Sequence, residues 1–213
     1  MIYIYWSRMD PESHLTLVGR AASQQWPDHL RRKMFAFADP RNAQLFLLGK
    51  LLLLEGMREL GYHIPLAAIR YSTFQRPFIS DHFDFNISHA GHYAVCGFAE
   101  AGRIGVDIEE LKPIDIGDFE WHWTTEELRE LQCSNDALRS FYHLWTRKEA
   151  IVKADGRGLS LDLKRLNVAQ DKVSLNDVTW CLEKFEIDQA YVAHFATLKP
   201  ANGQYVTREV IFS

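Results

Sequence analysis

Two carboxylates stand two residues apart in GVDIEE, and a third lies in the long stretch FYHLWTRKEAIVKADGRGLS. In a strand, alternate side chains share a face, so Asp107 and Glu109 project together while Val106 and Ile108 fill the other side. Read as a helix, the second stretch has an apolar row of Leu138, Phe141, Tyr142, Trp145 and Val152, and Glu149 falls within it. A carboxylate there is half buried and needs a cation to stay ionised. Two strand carboxylates and one helix carboxylate suit a single hard divalent cation with oxygen ligands. The plainer reading of a lone D-x-E pair is a solvated strand face.

NISHAG is the second feature. Asn86, Ser88 and His89 precede Gly91, so donors end a strand at a turn, a geometry that holds phosphate through hydroxyl, imidazole and backbone N–H. Alone it is also an ordinary polar turn. Arg31, Arg32, Lys33, Arg41, Lys50 and Arg76 lie upstream and, with NISHAG, would make a cradle for a polyanion. Lys153 is one helical turn beyond Glu149, a favourable i,i+4 pair in its plainer reading. Thr124 and Glu127 have the spacing of a capping box, which makes Glu127 a cap rather than a catalyst. Trp121, Trp123 and Trp145 read as core.

The elements that must position these residues are α and β in mixture. The chain has 213 residues, enough for one large domain or two halves of about 100 residues. A strand over residues 2–7 and a polar stretch are followed by a helix over about 40–61 and strands at FDFNIS and YAVCGFAE. Then come a strand at IGVDIEEL, a short helix from Thr125, a long helix over 136–155, and strands near Asn167, at WCLEKFEI and at AYVAHFAT. A faint repeat runs through this order: LLGK and WTRK take like places in the two long helices, and YAVCGFA is echoed by AYVAHFA. Two related halves, residues 1–104 and 105–213, are therefore expected. Their formal charges are +2 and −6, which suits a phosphorylated ligand and a metal shared between them.

Composition narrows the class. With 47% hydrophobic and 24% charged residues the chain reads as globular, and the apolar run around Lys50 stops well short of the ~20 residues a membrane span requires. No secretion signal is apparent at the start. Cys96, Cys133 and Cys181 form no C-x-x-C pair, which argues against disulfides and zinc and for a reducing, cytoplasmic compartment.

FNISHAG, GVDIEEL and FYHLWTRKEAIVKADGRGLSL, in that order, resemble the 4′-phosphopantetheinyl transferases of the long, surfactin-synthetase-activating type. The likeness is strong over residues 70–163 and rests on the W-x-x-K-E-x-x-x-K and G-[IV]-D-[IV]-E patterns. It implies an α+β chain of two similar halves in a pseudo-twofold arrangement, with the active site in the cleft between them and a monomer sufficing. It implies transfer of the phosphopantetheine arm of coenzyme A to a serine of an apo acyl, peptidyl or polyketide carrier protein, with release of adenosine 3′,5′-bisphosphate. No nucleic-acid or membrane partner is expected.

The same resemblance assigns roles. Asp107, Glu109 and Glu149 would hold magnesium, or manganese, against the pyrophosphate. Lys153 would lie at the phosphates, and Lys148, beside Glu149, would also bind coenzyme A; Ser88 and His89, and more loosely Arg31, would meet the 3′-phosphate. Where the family often has Gly-Lys-Pro, this chain has Gln75-Arg76-Pro77, so the cation is kept and the glycine lost. In the displacement at phosphorus, Glu149 would remove the serine proton, directly or through water, while Lys153 neutralises growing charge. A coenzyme A binding protein without turnover and a magnesium-dependent hydrolase are the rival classes, separated by mass gain on an apo carrier protein and by reaction without an acceptor.

Overall fold

The computed structural model describes residues 1–10 and 26–212. In chain order its elements are β1 (Ile2–Arg8), α1 (Asp28–Phe35), α2 (Pro40–Glu59), β2 (Arg70–Tyr71), β3 (Pro77–Phe78), β4 (Asp84–Ala90), β5 (Tyr93–Ala99) and β6 (Ile104–Glu110). These are followed by α3 (Thr125–Cys133), α4 (Ala137–Asp155), β7 (Lys172–Leu175), β8 (Val178–Lys184), β9 (Tyr191–Thr197) and β10 (Tyr205–Glu209).

Local chemistry fixes the helix ends. α2 begins where the Asp39 carboxylate accepts from Arg41 N at 2.9 Å, with Pro40 in the first turn. α4 begins where Asp136 accepts from Arg139 N at 3.0 Å and ends at Gly156, whose φ of +87° suits glycine. At α3 the expected capping box is complete: Glu127 N donates to Thr124 Oγ1 at 3.3 Å and Thr124 N to Glu127 Oε2 at 2.8 Å.

The strands form two four-stranded sheets, in the orders β10-β1-β5-β4 and β6-β9-β8-β7. Within them β1-α2-β4-β5 and β6-α4-β8-β9 repeat one plan: the last strand of each unit lies in the middle, antiparallel to both others. The faint internal repeat has this structural counterpart, since YAVCGFA is β5 and AYVAHFA contains most of β9. Each helix buries an apolar face on its own sheet, and a third core of Ile4, Val95, Val106, Ile108 and Phe195 joins the sheets. Val106 and Ile108 fill that core, so Asp107 and Glu109 are left to the α4 side, as the alternation predicts. The chain then crosses back, β10 pairing in parallel with β1 in the first sheet.

Three expectations differ. The strand near Asn167 lies further on at β7, because the backbone at 168 and 169 donates to the Glu127 and Asn167 side chains instead of a neighbouring strand. Trp121 is 78% exposed, on the outer side of a short 3₁₀ turn where the Lys164 ammonium stands 5.9 Å from its ring, while Trp123 is buried. The polar stretch after β1 falls mostly outside the described residues, and α1 follows it.

α4 seats closely on β6 only because residue 105 is glycine. A methyl there would strike the backbone at Ala150 O and Ala154 N, atoms with no freedom to yield. Gly105→Ala is expected to destabilise by at least the about 1–3 kcal/mol typical of overpacking, read by chemical denaturation. An unchanged midpoint would contradict this seating.

Candidate active site

β4 and β6 are edge strands of different sheets, and they run beside each other. An edge strand carries unpaired N–H groups, and here side chains meet them. Asp84 Oδ2 accepts from Ile104 N at 2.8 Å and Asn86 Oδ1 from Val106 N at 3.0 Å. Ser88, the next residue on the same face of β4, donates from Oγ to Asp107 Oδ1 at 2.9 Å. Asn86, read from sequence as a phosphate donor, is thereby used as an acceptor within the protein.

Lys153 reaches this point from the last turn of α4. Its Nζ donates to Asp107 Oδ1 at 2.5 Å and to Ser88 Oγ at 2.9 Å. Asp107 is 3% exposed, and its other oxygen, Oδ2, is buried without a donor. Burial and the Asp107 charge push Glu109 up to about 7, with Lys153 opposing. Glu149, half-buried as its row predicts, is raised by burial and then by Asp107. The three expected carboxylates thus share one electrostatic neighbourhood. Among the described residues no three such groups form a ready metal cage. Like charges repel, and the Lys153 ammonium stands against Asp107 Oδ1. The fit to a divalent cation is nonetheless good: all three groups are hard oxygen donors, one buried oxygen lacks a partner, and two carboxylates are disfavoured as anions without added positive charge.

His89, the last residue but one of β4, lies at the surface, its imidazole held below the ordinary value by surrounding protein and then by Lys153. It lines a groove of about 300 Å³ with Arg41, Asn42 and Lys112. Lys50 of α2, 8% exposed, is lowered to about 8 by burial, with Lys33 among the contributors. The Lys33 and Lys50 ammoniums lie 5.6 and 5.4 Å from the ring of Phe46. Among the described residues no carboxylate pairs with Lys50. Its interruption of an apolar run was the sequence signal that it is unusual.

Three expected ligands stand elsewhere. Arg31 is on an exposed face of α1, paired with Asp28 of its own helix. Lys148 and Glu127 are both 0% exposed and pair at 2.8 Å. Lys148 Nζ also donates to Leu163 O at 2.8 Å and to Leu166 O, so its three donors face the interior beneath Trp123 and none is free for a ligand. Glu127 is accordingly more than a cap: its other oxygen accepts from Val168 N. Arg76 is buried and ion-paired with Asp84.

A family model for the 4′-phosphopantetheinyl transferase superfamily matches residues 103–207, which contain β6 and α4. Over 202 residues the chain is 33% identical to a 4′-phosphopantetheinyl transferase, ffp, of Bacillus subtilis, covering 85% of this chain and 89% of that one. This chain belongs to that superfamily. It is likewise 31% identical over 179 residues to the transferase psf-1 of Bacillus pumilus, covering 78% and 76% of the two chains. With the transferase Sfp of Bacillus subtilis strain 168 the identity is 33% over 174 residues, covering 76% and 77%. The chain is thus an enzyme of the surfactin-synthetase-activating type of 4′-phosphopantetheinyl transferase, on an α+β fold.

The buried pair gives a prediction for this transferase. Lys148→Met leaves the Glu127 charge buried and unpaired, and loss of one partner of such a pair costs about 3–5 kcal/mol. Denaturation should read that loss, while coenzyme A affinity of the still-folded fraction should match the parent. Weakened binding at parent stability would return Lys148 to the ligand.

Proposed function

We propose that this enzyme transfers the 4′-phosphopantetheine arm of coenzyme A to a serine hydroxyl of an apo acyl, peptidyl or polyketide carrier protein, releasing adenosine 3′,5′-bisphosphate. The observation that carries the reading is the junction of Ser88, Asp107 and Lys153, with Glu109 and Glu149 in the same field. Magnesium, or manganese in its stead, would be held by Asp107, Glu109 and Glu149. When bound it would supply positive charge against the pyrophosphate.

The chain's own residues have distinct tasks in this reading. Lys153 turns its ammonium to the pyrophosphate and neutralises charge growing on the leaving group. Glu149, half-buried and raised above the usual carboxylate value, is a competent proton acceptor for the carrier serine, directly or through one water. Ser88 and His89 meet the phosphates from the end of β4, and Lys50 and Lys33 add positive charge from α2 and α1. Arg31 joins them only by exchanging its Asp28 partner. Lys148 supports α4 from within.

The functional halves are residues 1–104, which offer the phosphate-binding groups, and 105–213, which offer the carboxylates and Lys153. One chain contains both sets, so a monomer suffices. A cytoplasmic setting agrees with three free cysteines, two of them buried. Among the described residues no helix is long and apolar enough to cross a membrane.

A panel of apo carrier proteins incubated with coenzyme A and magnesium, and read by mass gain, tests the reaction. No gain on any member, or bisphosphate release without an acceptor, would overturn it. Excess chelator should abolish transfer. Glu149→Gln keeps the side-chain volume in the row of Trp145 and Val152, so the protein should fold and bind coenzyme A, with transfer slowed ~10²–10⁴-fold by loss of the proton acceptor. Single-turnover transfer near the parent rate would make Glu149 structural.

A further inference from the structure

Arg76 was expected at a phosphate, yet its guanidinium has no donor to give. Nε donates to Lys153 O at 2.9 Å, Nη1 to Asp84 Oδ1 at 2.8 Å, and Nη2 to Asp84 Oδ2 at 2.5 Å and Ile104 O at 2.9 Å. The remaining N–H, on Nη1, faces Pro77 O at 3.5 Å. A guanidinium has five N–H groups, and all five are directed at protein oxygens in a side chain that is 6% exposed.

Apart from the neighbouring Pro77 O, the acceptors come from separate pieces of the molecule: β4, β6 and the last turn of α4. Lys153 O is one of the four carbonyls a helix leaves unpaired at its end, and a cation there also answers the helix dipole. Arg76 therefore closes α4 from the other half of the chain. Two local features are shaped around it. A methyl on Gly156 would come within 2.5 Å of Arg76 Cδ. The turn presenting Arg76 is tied by Ser72, whose Oγ accepts from Arg76 N at 3.1 Å and whose N donates to Arg76 O at 2.9 Å, and it holds Gln75 at a φ of +63°. That is a glycine-like conformation, costly for a side-chain-bearing residue and retained where surroundings enforce it.

We propose that Arg76 is a positioning residue for phosphopantetheine transfer. It fixes the backbone of Lys153 against β4 and β6 and so sets the Lys153 ammonium at Asp107 and Ser88, without touching coenzyme A. This rests on the function proposed above. It also separates the guanidinium from the amine the family often has at this position: an ammonium with three donors cannot hold Asp84, Ile104 O and Lys153 O in one plane.

Arg76→Lys is the first test, because it keeps a cation beside Asp84 and so the fold. Single-turnover transfer from saturating coenzyme A should fall about 10–100-fold, the scale of a small misplacement of a catalytic group, while coenzyme A affinity by calorimetry stays within threefold of the parent. A double variant, Arg76→Met with Asp84→Asn, removes both buried charges and should show the same split between rate and affinity. Two results would overturn the inference: coenzyme A affinity lost tenfold or more at an unchanged bound-state rate, which makes Arg76 a ligand, or a lowered unfolding midpoint with parent rate and affinity, which makes the clamp structural only. A parent that transfers to no carrier protein would instead overturn the function beneath it.

Discussion

The site exists because two sheet edges meet without pairing as a sheet. β6 offers the N–H groups of Ile104 and Val106, and β4 answers with carboxylate and amide oxygens in place of backbone carbonyls. A continuous ladder across the strands would hold them about 4.8 Å apart and leave no room for a ligand. Side chains standing between the strands keep the seam polar and set Ser88 beside Asp107 one step along. The apolar core behind the sheets holds the halves together, and the seam fixes their register.

Buried charge is used differently on the two sides of α4. Lys148 and Glu127 are sealed within the second half, where a matched pair gains little over a hydrophobic one but fixes which way the helix is turned. With Lys148 directed inward, its neighbour Glu149 must emerge toward β6. Arg76 and Asp84 do the corresponding work at the C-terminal turn of the helix, against the first half. Asp107 is treated oppositely: it is left with an unpartnered oxygen and carboxylate neighbours that burial disfavours, which is unfavourable for the protein alone and favourable once positive charge arrives.

Local rules made much of this legible. Alternation correctly divided Asp107 and Glu109 from Val106 and Ile108, the Thr124 capping box fixed one helix start, and the echo between YAVCGFA and AYVAHFA matched the central strands of two like units. What escaped depends on contacts distant in sequence. Nothing near Arg76 reveals that its acceptors are 8, 28 and 77 residues away. Lys148 lay beside the row that carries Glu149 but about 100° around the helix from it, and only the position of Glu127 decided that it turned inward. Trp121 read as core on size alone, and the short 3₁₀ turn that exposes it has no periodic signature.

The central claim is that side chains of β4, rather than a backbone ladder, satisfy the edge of β6. Residue-resolved amide hydrogen exchange on Asn86→Ala tests it most directly. The Val106 amide should be protected in the parent and lose most of that protection in the variant, while the Asp107 amide, which points the other way toward β9, keeps its own. Equal protection of Val106 in both proteins would contradict the account.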